Sequence, residues 1–190
     1  MNYVFTGLLL ALLCFSSCNR PDKNVNVEQQ QFYDLEQVIE DEIGYLLSKN
    51  KGLDKTLFTG NKEENIVVTP SDTVAWRQQF SALIEANMNK VAYLNAFDRQ
   101  ETFSDQERQV VFSALDDSIP VQNFTMKYQN DQLVSIDIVF IERNLVYSHI
   151  KEMSITFDSS GKHFESFSIS GKEKMILKSA FDYEVKAKIV

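Results

Sequence analysis

Near Gln106 the spacing of apolar residues changes from a helical period to a period of two. A strand with one buried face requires this alternation. Six strands are predicted, near residues 107–115, 121–129, 132–142, 145–157, 162–170 and 174–189. Short turns rich in Asp, Asn, Ser and Gly separate them, and short connections favour antiparallel neighbours. The second half of the chain therefore predicts an antiparallel meander.

Before this change, apolar residues recur every three or four positions, which predicts helices. The first helix should run from about Val27 to Lys49. The second should begin after Ser71, its N-cap, and bury Trp76. Between the two helices, the β-rich runs 55–59 and 65–69 predict a small hairpin.

Helices first and strands second make an α+β domain. We expect two N-terminal helices and the small hairpin to pack on a curved antiparallel meander of about six strands. Residues 87–97, which contain three asparagines, should form a helix end and an ordered loop. The chain is 44% hydrophobic and 12% aromatic, which is enough for a real core. Its length suits a single α+β domain over residues 27–190.

The first 18 residues have the pattern of a bacterial lipoprotein signal peptide. The apolar run Val4–Phe15 is shorter than the about 20 residues that a membrane-spanning helix needs, and it has the length of a secretory signal. Ser16 and Ser17 are small enough for a signal peptidase, and Cys18 supplies a thiol for acylation. We therefore predict a signal peptide over 1–17, lipid attachment at Cys18 and a polar tether over 18–26. The alternative is an ordinary secretory signal with an incidental cysteine.

A lipidated Cys18 would make the membrane the first partner of this protein. Two or more acyl chains hold a protein firmly at a bilayer, so we expect palmitate or a similar chain to anchor it. The predicted location is the bacterial cell envelope, at the outer membrane and facing the periplasm. Once Cys18 carries lipid, the mature chain has no cysteine left for a disulfide, a zinc site or a thiol nucleophile.

The charge of the chain excludes some classes of partner. Its formal net charge is −8, whereas nucleic-acid binding and polybasic binding of anionic lipid both need clustered Lys and Arg. No nucleic-acid partner is expected.

Residues with catalytic chemistry are few and scattered. His149 and His163 lie on separate predicted strands, without the spacing of a metal motif. Neither a G-x-S-x-G nor a phosphate-binding glycine loop occurs. We therefore expect no metal, no cofactor and no catalytic residue. An envelope hydrolase would require one of the two histidines to meet an acidic partner in a cleft.

Five aromatic residues are predicted to cluster where the helices meet the sheet. They could line an apolar cavity, or they could simply form core. The five residues are Trp76, Tyr93, Phe97, Phe103 and Phe112.

The layout resembles a group of uncharacterised small envelope lipoproteins of Bacteroidota-type bacteria. The matching features are the Ser-Ser-Cys18 segment, the N-terminal helix, Trp76 on the second helix and the segment Asn89-Lys90-Val91-Ala92-Tyr93. Val91 stands where that group has proline. The resemblance implies an outer-envelope lipoprotein without an assigned activity. In architecture alone, the expected fold is also similar to lipoprotein carriers, whose curved sheet and covering helices enclose an acyl chain.

The function predicted from these features is a lipid-anchored envelope protein that acts as a binding or assembly module and is not an enzyme. Its partners would be the membrane and an envelope protein. The first alternative is a carrier that holds an apolar ligand or lipid between helix and sheet. The second is the envelope hydrolase.

Overall fold

The computed structural model describes residues 32–190, where nine strands form one antiparallel sheet. The strands are β1 Leu53–Thr59, β2 Lys62–Val68, β3 Phe97–Ser104, β4 Glu107–Ala114, β5 Val121–Gln129, β6 Gln132–Arg143, β7 Tyr147–Phe157, β8 Phe164–Met175 and β9 Phe181–Ile189. Across the sheet their order is β2-β1-β9-β8-β7-β6-β5-β4-β3. The last strand therefore lies beside the first.

The expected fold class, two helices and a hairpin packed on about six strands, is wrong. The sheet dominates the described residues, of which 52% are in strands and 18% in helices. The predicted hairpin is not a separate unit, because β1 pairs with β9 along its whole length and extends the sheet. At the opposite edge, the sheet includes β3, a strand that was not predicted; it begins at Phe97, the last residue of the segment expected to form a helix end and a loop. β3 could not be recognised in the sequence, because it is an exposed edge strand that contains the charged residues Asp98, Arg99 and Glu101. Such a strand lacks the alternation of apolar residues by which a half-buried strand is predicted.

The predicted final strand, 174–189, is also divided. Met175 ends β8, and β9 begins at Phe181. Leu177 lies in the turn between them with a φ of +64°. The apolar alternation continues through this turn, so the period of two could not mark it. β5, in contrast, has the bounds that the sequence predicts.

Within residues 32–190, three α-helices cover one face of the sheet: α1 Leu35–Ser48, α2 Thr73–Gln79 and α3 Ser81–Glu85. α1 begins later than predicted; Asp34 caps it by accepting a hydrogen bond from the Gln37 N–H at 3.1 Å. Residues 27–31 of the predicted first helix lie outside the described residues. Asp72, not Ser71, caps α2. Arg77 of α2 forms ion pairs with Glu36 and Glu40 of α1.

The core lies between these helices and the face of the sheet that they cover, here called the core face. Side chains from neighbouring strands form a cross-strand row on it: Phe112, Phe124, Ile138, Met153, Ile169 and Val185. Four α1 residues, Leu35, Ile39, Ile43 and Leu46, are fully buried against this face. Phe80, between α2 and α3, contacts Phe164 and Phe167 with ring centroids 5.7 and 5.4 Å apart. Burial of this apolar surface supplies most of the stability.

The two ends of the sheet differ in what they carry. The near end holds the β1–β2, β4–β5, β6–β7 and β8–β9 turns, and Phe32 lies there against Phe97, the first residue of β3. The far end holds the other turns and the C-terminus, and Glu42 of α1 reaches it beside Phe164, the first residue of β8. α1 therefore runs from the near end to the far end. Within residues 32–190, no helix combines the length and apolarity that crossing a bilayer requires.

Candidate functional site

The face of the sheet opposite the helices is rich in hydroxyl groups, and we call it the polar face. Because side chains alternate along a strand, the strands that bury apolar residues on the core face present polar ones here. Its central cross-strand row is Thr125, Asp137, Ser154, Ser168, Lys186 and Thr56. The Ser154 hydroxyl donates to Asp137 Oδ1 at 2.7 Å, and the Lys127 ammonium donates to Asp137 Oδ2 at 2.8 Å.

Three depressions on this face join into one groove, the polar groove. The first, of about 350 Å³, and the second, of about 280 Å³, share Ser154 and Ser168. The second and the third, of about 390 Å³, share Glu152 and Ser170. Short serine side chains on β7 and β8 leave this floor low between longer neighbours. The groove therefore crosses the sheet from β1 and β9 to β5.

The groove offers many hydrogen-bonding groups and little net charge. Its lining includes four carboxylates, Asp54, Asp137, Glu152 and Asp182, and three ammonium groups, Lys172, Lys186 and Lys188. Two aromatic residues contribute to the lining, Phe167 and Tyr183, and both belong to the core face. Such a surface can donate to and accept from a polar ligand without selecting one sign of charge.

The five aromatic residues singled out from the sequence do not form one group. Tyr93 and Phe112 lie with Phe97 and Phe32 near the β3 edge; Phe32 contacts Phe97 and Phe112 with centroids 5.3 and 5.6 Å apart, and Tyr93 contacts Phe97 at 6.1 Å.

Trp76 stacks on Phe80 at 5.6 Å, within a different part of the core. Its indole N–H has no hydrogen-bond partner among the described residues. Phe103 is 74% exposed, at the far end of β3. None of the five contributes to the depressions described here, so a cavity that they line stays a prediction.

A buried polar cluster lies on the core face toward the near end. His149 on β7 contacts the Tyr147 hydroxyl through Nδ1 at 2.8 Å and the Tyr183 hydroxyl through Nε2 at 3.0 Å. A neutral imidazole has one donor and one acceptor nitrogen, so one tyrosine donates and the other accepts. Burial and then the Lys151 ammonium lower the pKa of His149, which favours this neutral form. Burial also raises the pKa of both tyrosines.

Gly171 makes this cluster possible. It pairs with Tyr183 across β8 and β9, and a Cβ at position 171 would lie 2.2 to 2.4 Å from the tyrosine ring. Only glycine lets the ring lie flat on the sheet and reach His149. Beside the cluster, the partly buried Lys151 ammonium of β7 donates to Glu85 Oε2 of α3 at 2.5 Å.

The other histidine meets an acidic partner. His163, in the β7–β8 turn, contacts Glu42 Oε2 through Nδ1 at 2.9 Å, and the Phe164 N–H donates to Glu42 Oε1 at 3.2 Å. The Glu42 side chain is only 2% exposed, and its burial raises the pKa of this carboxyl group. The Tyr45 ring stacks on the imidazole at 3.5 Å. We call these contacts the α1–β8 clamp.

The clamp borders a depression of about 440 Å³ that also includes Asp158 and Ser159. This contact could not be predicted from the sequence, because Glu42 and His163 are 121 residues apart. Within residues 32–190, no group of three or more His, Cys, Asp or Glu residues is placed to hold a metal ion.

Comparisons with known proteins add no assignment. No family model matches the chain, and searches of curated proteins and of solved structures found no significant match. The resemblance to small envelope lipoproteins therefore stays a prediction. The predicted signal peptide, Cys18 and the tether lie outside the described residues.

Proposed function

We propose that this protein is a lipid-anchored binding module of the bacterial cell envelope and that the polar groove is its binding surface. The observation that carries the proposal is the continuity of the groove across six neighbouring strands, β1 and β5 to β9, on a face that no helix of residues 32–190 covers. The signal-like N-terminus and Cys18 support the anchor and the location. Metabolic labelling with palmitate should mark the wild-type chain and fail in Cys18→Ala.

The groove fits a neutral, hydroxyl-rich chain, such as a glycan, better than a protein surface. Interfaces between proteins are enriched in aromatic residues, Met and Arg, and depleted in Ser, Lys, Asp and Glu. The groove is lined largely by the residue types in which such interfaces are depleted, namely Ser, Lys, Asp and Glu. Its mixed charges also disfavour a polyanion such as nucleic acid, which needs clustered cations.

Filling the groove tests this proposal. Ser168 lies at the centre of the groove, so Ser168→Trp should block it. Gln109→Trp places the same side chain on the polar face of β4, outside the groove, and is the matched control. Full-length chain in detergent micelles would be titrated calorimetrically with neutral cello- and chito-oligosaccharides. We expect Kd to rise at least tenfold for Ser168→Trp alone. Equal binding by both variants would exclude the groove, and no binding by wild type would exclude this ligand class.

An envelope hydrolase is the second candidate, favoured by the Glu42–His163 contact beside a depression. A buried carboxylate that holds Nδ1 leaves Nε2 to act as a base toward a bound water. This candidate predicts slow hydrolysis of chromogenic esters or glycosides that is lost in His163→Gln. The binding module predicts no turnover in either protein.

The carrier of a lipid would need a cavity between the helices and the core face. The indole N–H of Trp76, which is buried there without a partner in the described residues, would donate to an ester or carboxylate oxygen of such a lipid. Lipid extraction and mass spectrometry of purified protein would detect such a ligand. Protein that is free of lipid would leave the groove as the binding surface.

A further inference from the structure

Two neighbouring turns at the near end of the sheet expose large apolar side chains. Leu145 is 94% exposed and Leu177 is fully exposed, and three more apolar residues around them are about half exposed. The Ile176 N–H donates to the Val146 carbonyl at 2.9 Å, so the β6–β7 and β8–β9 turns are joined. We call this surface the apolar tip; its residues are Leu145, Val146, Ile176, Leu177 and Phe181.

Folding alone does not explain leucine at position 177. The residue has a φ of +64°, in the left-handed region that glycine and asparagine adopt most easily. A leucine there is strained and gains no burial in return. Single exposed apolar residues are ordinary, but a contiguous group of them marks an interaction site.

Three cations lie beside the tip, and among the described residues the one carboxylate next to it on the polar face, Asp182, faces Lys172. Arg143 is the last residue of β6 and Lys174 the last but one of β8, and both lie opposite Ser148 of β7, so they flank the tip from two sides. Lys178 follows Leu177 in the β8–β9 turn. None of the three forms an ion pair within the described part of the chain, although the whole chain carries a net charge of −8. Glu142 and Glu173 lie on the other face, opposite His149. Apolar side chains bordered by free cations suit the acyl and phosphate layers of a bilayer.

The start of the described chain supports the same partner. Phe32 lies at the near end, and thirteen residues separate it from Cys18. A chain of that length reaches at most about 45 Å. This step rests on the proposed function, because it matters only if Cys18 carries the anchor. The exposure and the charges of the tip do not depend on it.

We propose that the apolar tip inserts into the interfacial layer of the lipid bilayer, with Arg143, Lys174 and Lys178 against lipid phosphates. The near end then faces the membrane. Ser168, in the polar groove, is seven residues along β8 from Met175, which corresponds to about 23 Å. The groove is thereby held clear of the headgroups and open to a ligand.

Tryptophan fluorescence tests the insertion directly. The chain has a single tryptophan, Trp76, which is fully buried and gives a constant background. Leu177→Trp places a second indole in the tip, and Phe103→Trp places one at an exposed apolar position of the far end. Both full-length lipidated variants would be reconstituted into phosphatidylcholine–phosphatidylglycerol vesicles, with and without lipids brominated on the acyl chains. On addition of vesicles, we expect the emission of Leu177→Trp to shift to shorter wavelength and the brominated lipids to quench it at least twofold. The emission of Phe103→Trp should not change on addition of either kind of vesicle.

Equal and weak quenching of the two variants would overturn the proposal. A blue shift of Leu177→Trp that depends on protein concentration, without quenching by brominated lipid, would also overturn it and indicate a second copy on the tip. The same measurement on the Cys18→Ala background separates the tip from the anchor. On that background, quenching of Leu177→Trp at saturating lipid would support insertion of the apolar tip, even if palmitate labelling of the wild type fails. No quenching on that background would count against insertion.

Discussion

At the scale of single residues, the polar cluster depends on the absence of one side chain. His149 is buried, so both of its ring nitrogens need partners, and the two tyrosine hydroxyls supply them. Tyr183 can reach His149 only by crossing the space above Gly171. A buried polar network contributes to stability when every member is satisfied and costs stability when one member is displaced.

Gly171→Ala should therefore destabilise the protein. The added methyl group would displace the Tyr183 ring and break its hydrogen bond with His149, at a cost of about 1–3 kcal/mol. Urea denaturation followed by circular dichroism measures the change. Gly44→Ala is the control, because nothing lies within 4 Å of a Cβ there and alanine favours the interior of α1. It should stabilise by about 0.5–1 kcal/mol. A stability of Gly171→Ala equal to wild type would refute this role of the glycine.

At the scale of elements, the α1–β8 clamp is the polar connection between the first helix and the far end of the sheet. Glu42 accepts from Phe164 and contacts His163, while Asp158 adds a nearby negative charge. The helix itself could be predicted, because its apolar spacing is a local property of the sequence. The clamp could not, because it joins two residues that only the packed sheet brings together.

The clamp should make stability depend on pH. Burial raises the pKa of Glu42, so the folded state holds its proton above the ordinary glutamate pKa of about 4.3, where the unfolded chain releases it. This contribution is fully present below pH 4.3 and is lost as pH rises through the raised pKa. The slope is at most about 1.4 kcal/mol per pH unit.

Urea midpoints of wild type and Glu42→Gln between pH 4 and 8 measure this contribution by difference. The stability of wild type relative to Glu42→Gln should fall as pH rises, because Gln cannot ionise. His163→Phe removes a partner that lowers the pKa of Glu42. In this variant the loss of stability with rising pH should therefore extend to higher pH than in wild type. A difference that stays constant with pH would show that the buried carboxyl group does not titrate differently on folding.

At the scale of the whole molecule, the sheet continues from β9 into β1 and β2, where the sequence predicted a small hairpin packed on the meander. Turn signals and alternation revealed β5 with its bounds, because both are local. The β1–β9 pairing joins residues more than 120 positions apart, and no local pattern records which strand a hairpin will choose. The polar groove was missed for the same reason, since its lining comes from β1 and from β5 to β9. Its serines looked like ordinary solvent-facing positions until the register placed them side by side.

This continuity predicts that damage to β9 unfolds the whole protein and does not merely release the β1–β2 hairpin. Ala187 is buried on the core face, between Lys55 of β1 and Phe167 of β8. Ala187→Asp would overfill a closely packed position and desolvate a carboxylate, and the neighbouring Lys55 ammonium would offset only part of that cost, so the change should destabilise by about 2–3 kcal/mol. Ser168→Asp, the control, places the same group on the polar face beside Lys186 and should change stability by less than about 0.5 kcal/mol.

The cooperativity of unfolding distinguishes the two architectures. Trp76 reports on the core beneath α2, while far-ultraviolet circular dichroism reports on the whole sheet. In a single cooperative unit the two signals change together, so Ala187→Asp should shift both urea transitions by the same amount. A separate hairpin would instead leave the Trp76 transition near its wild-type midpoint while part of the dichroism signal was lost at low urea. That outcome would show that β1 and β2 are only an appendage of the sheet, and the observed register makes coincident transitions the expected result.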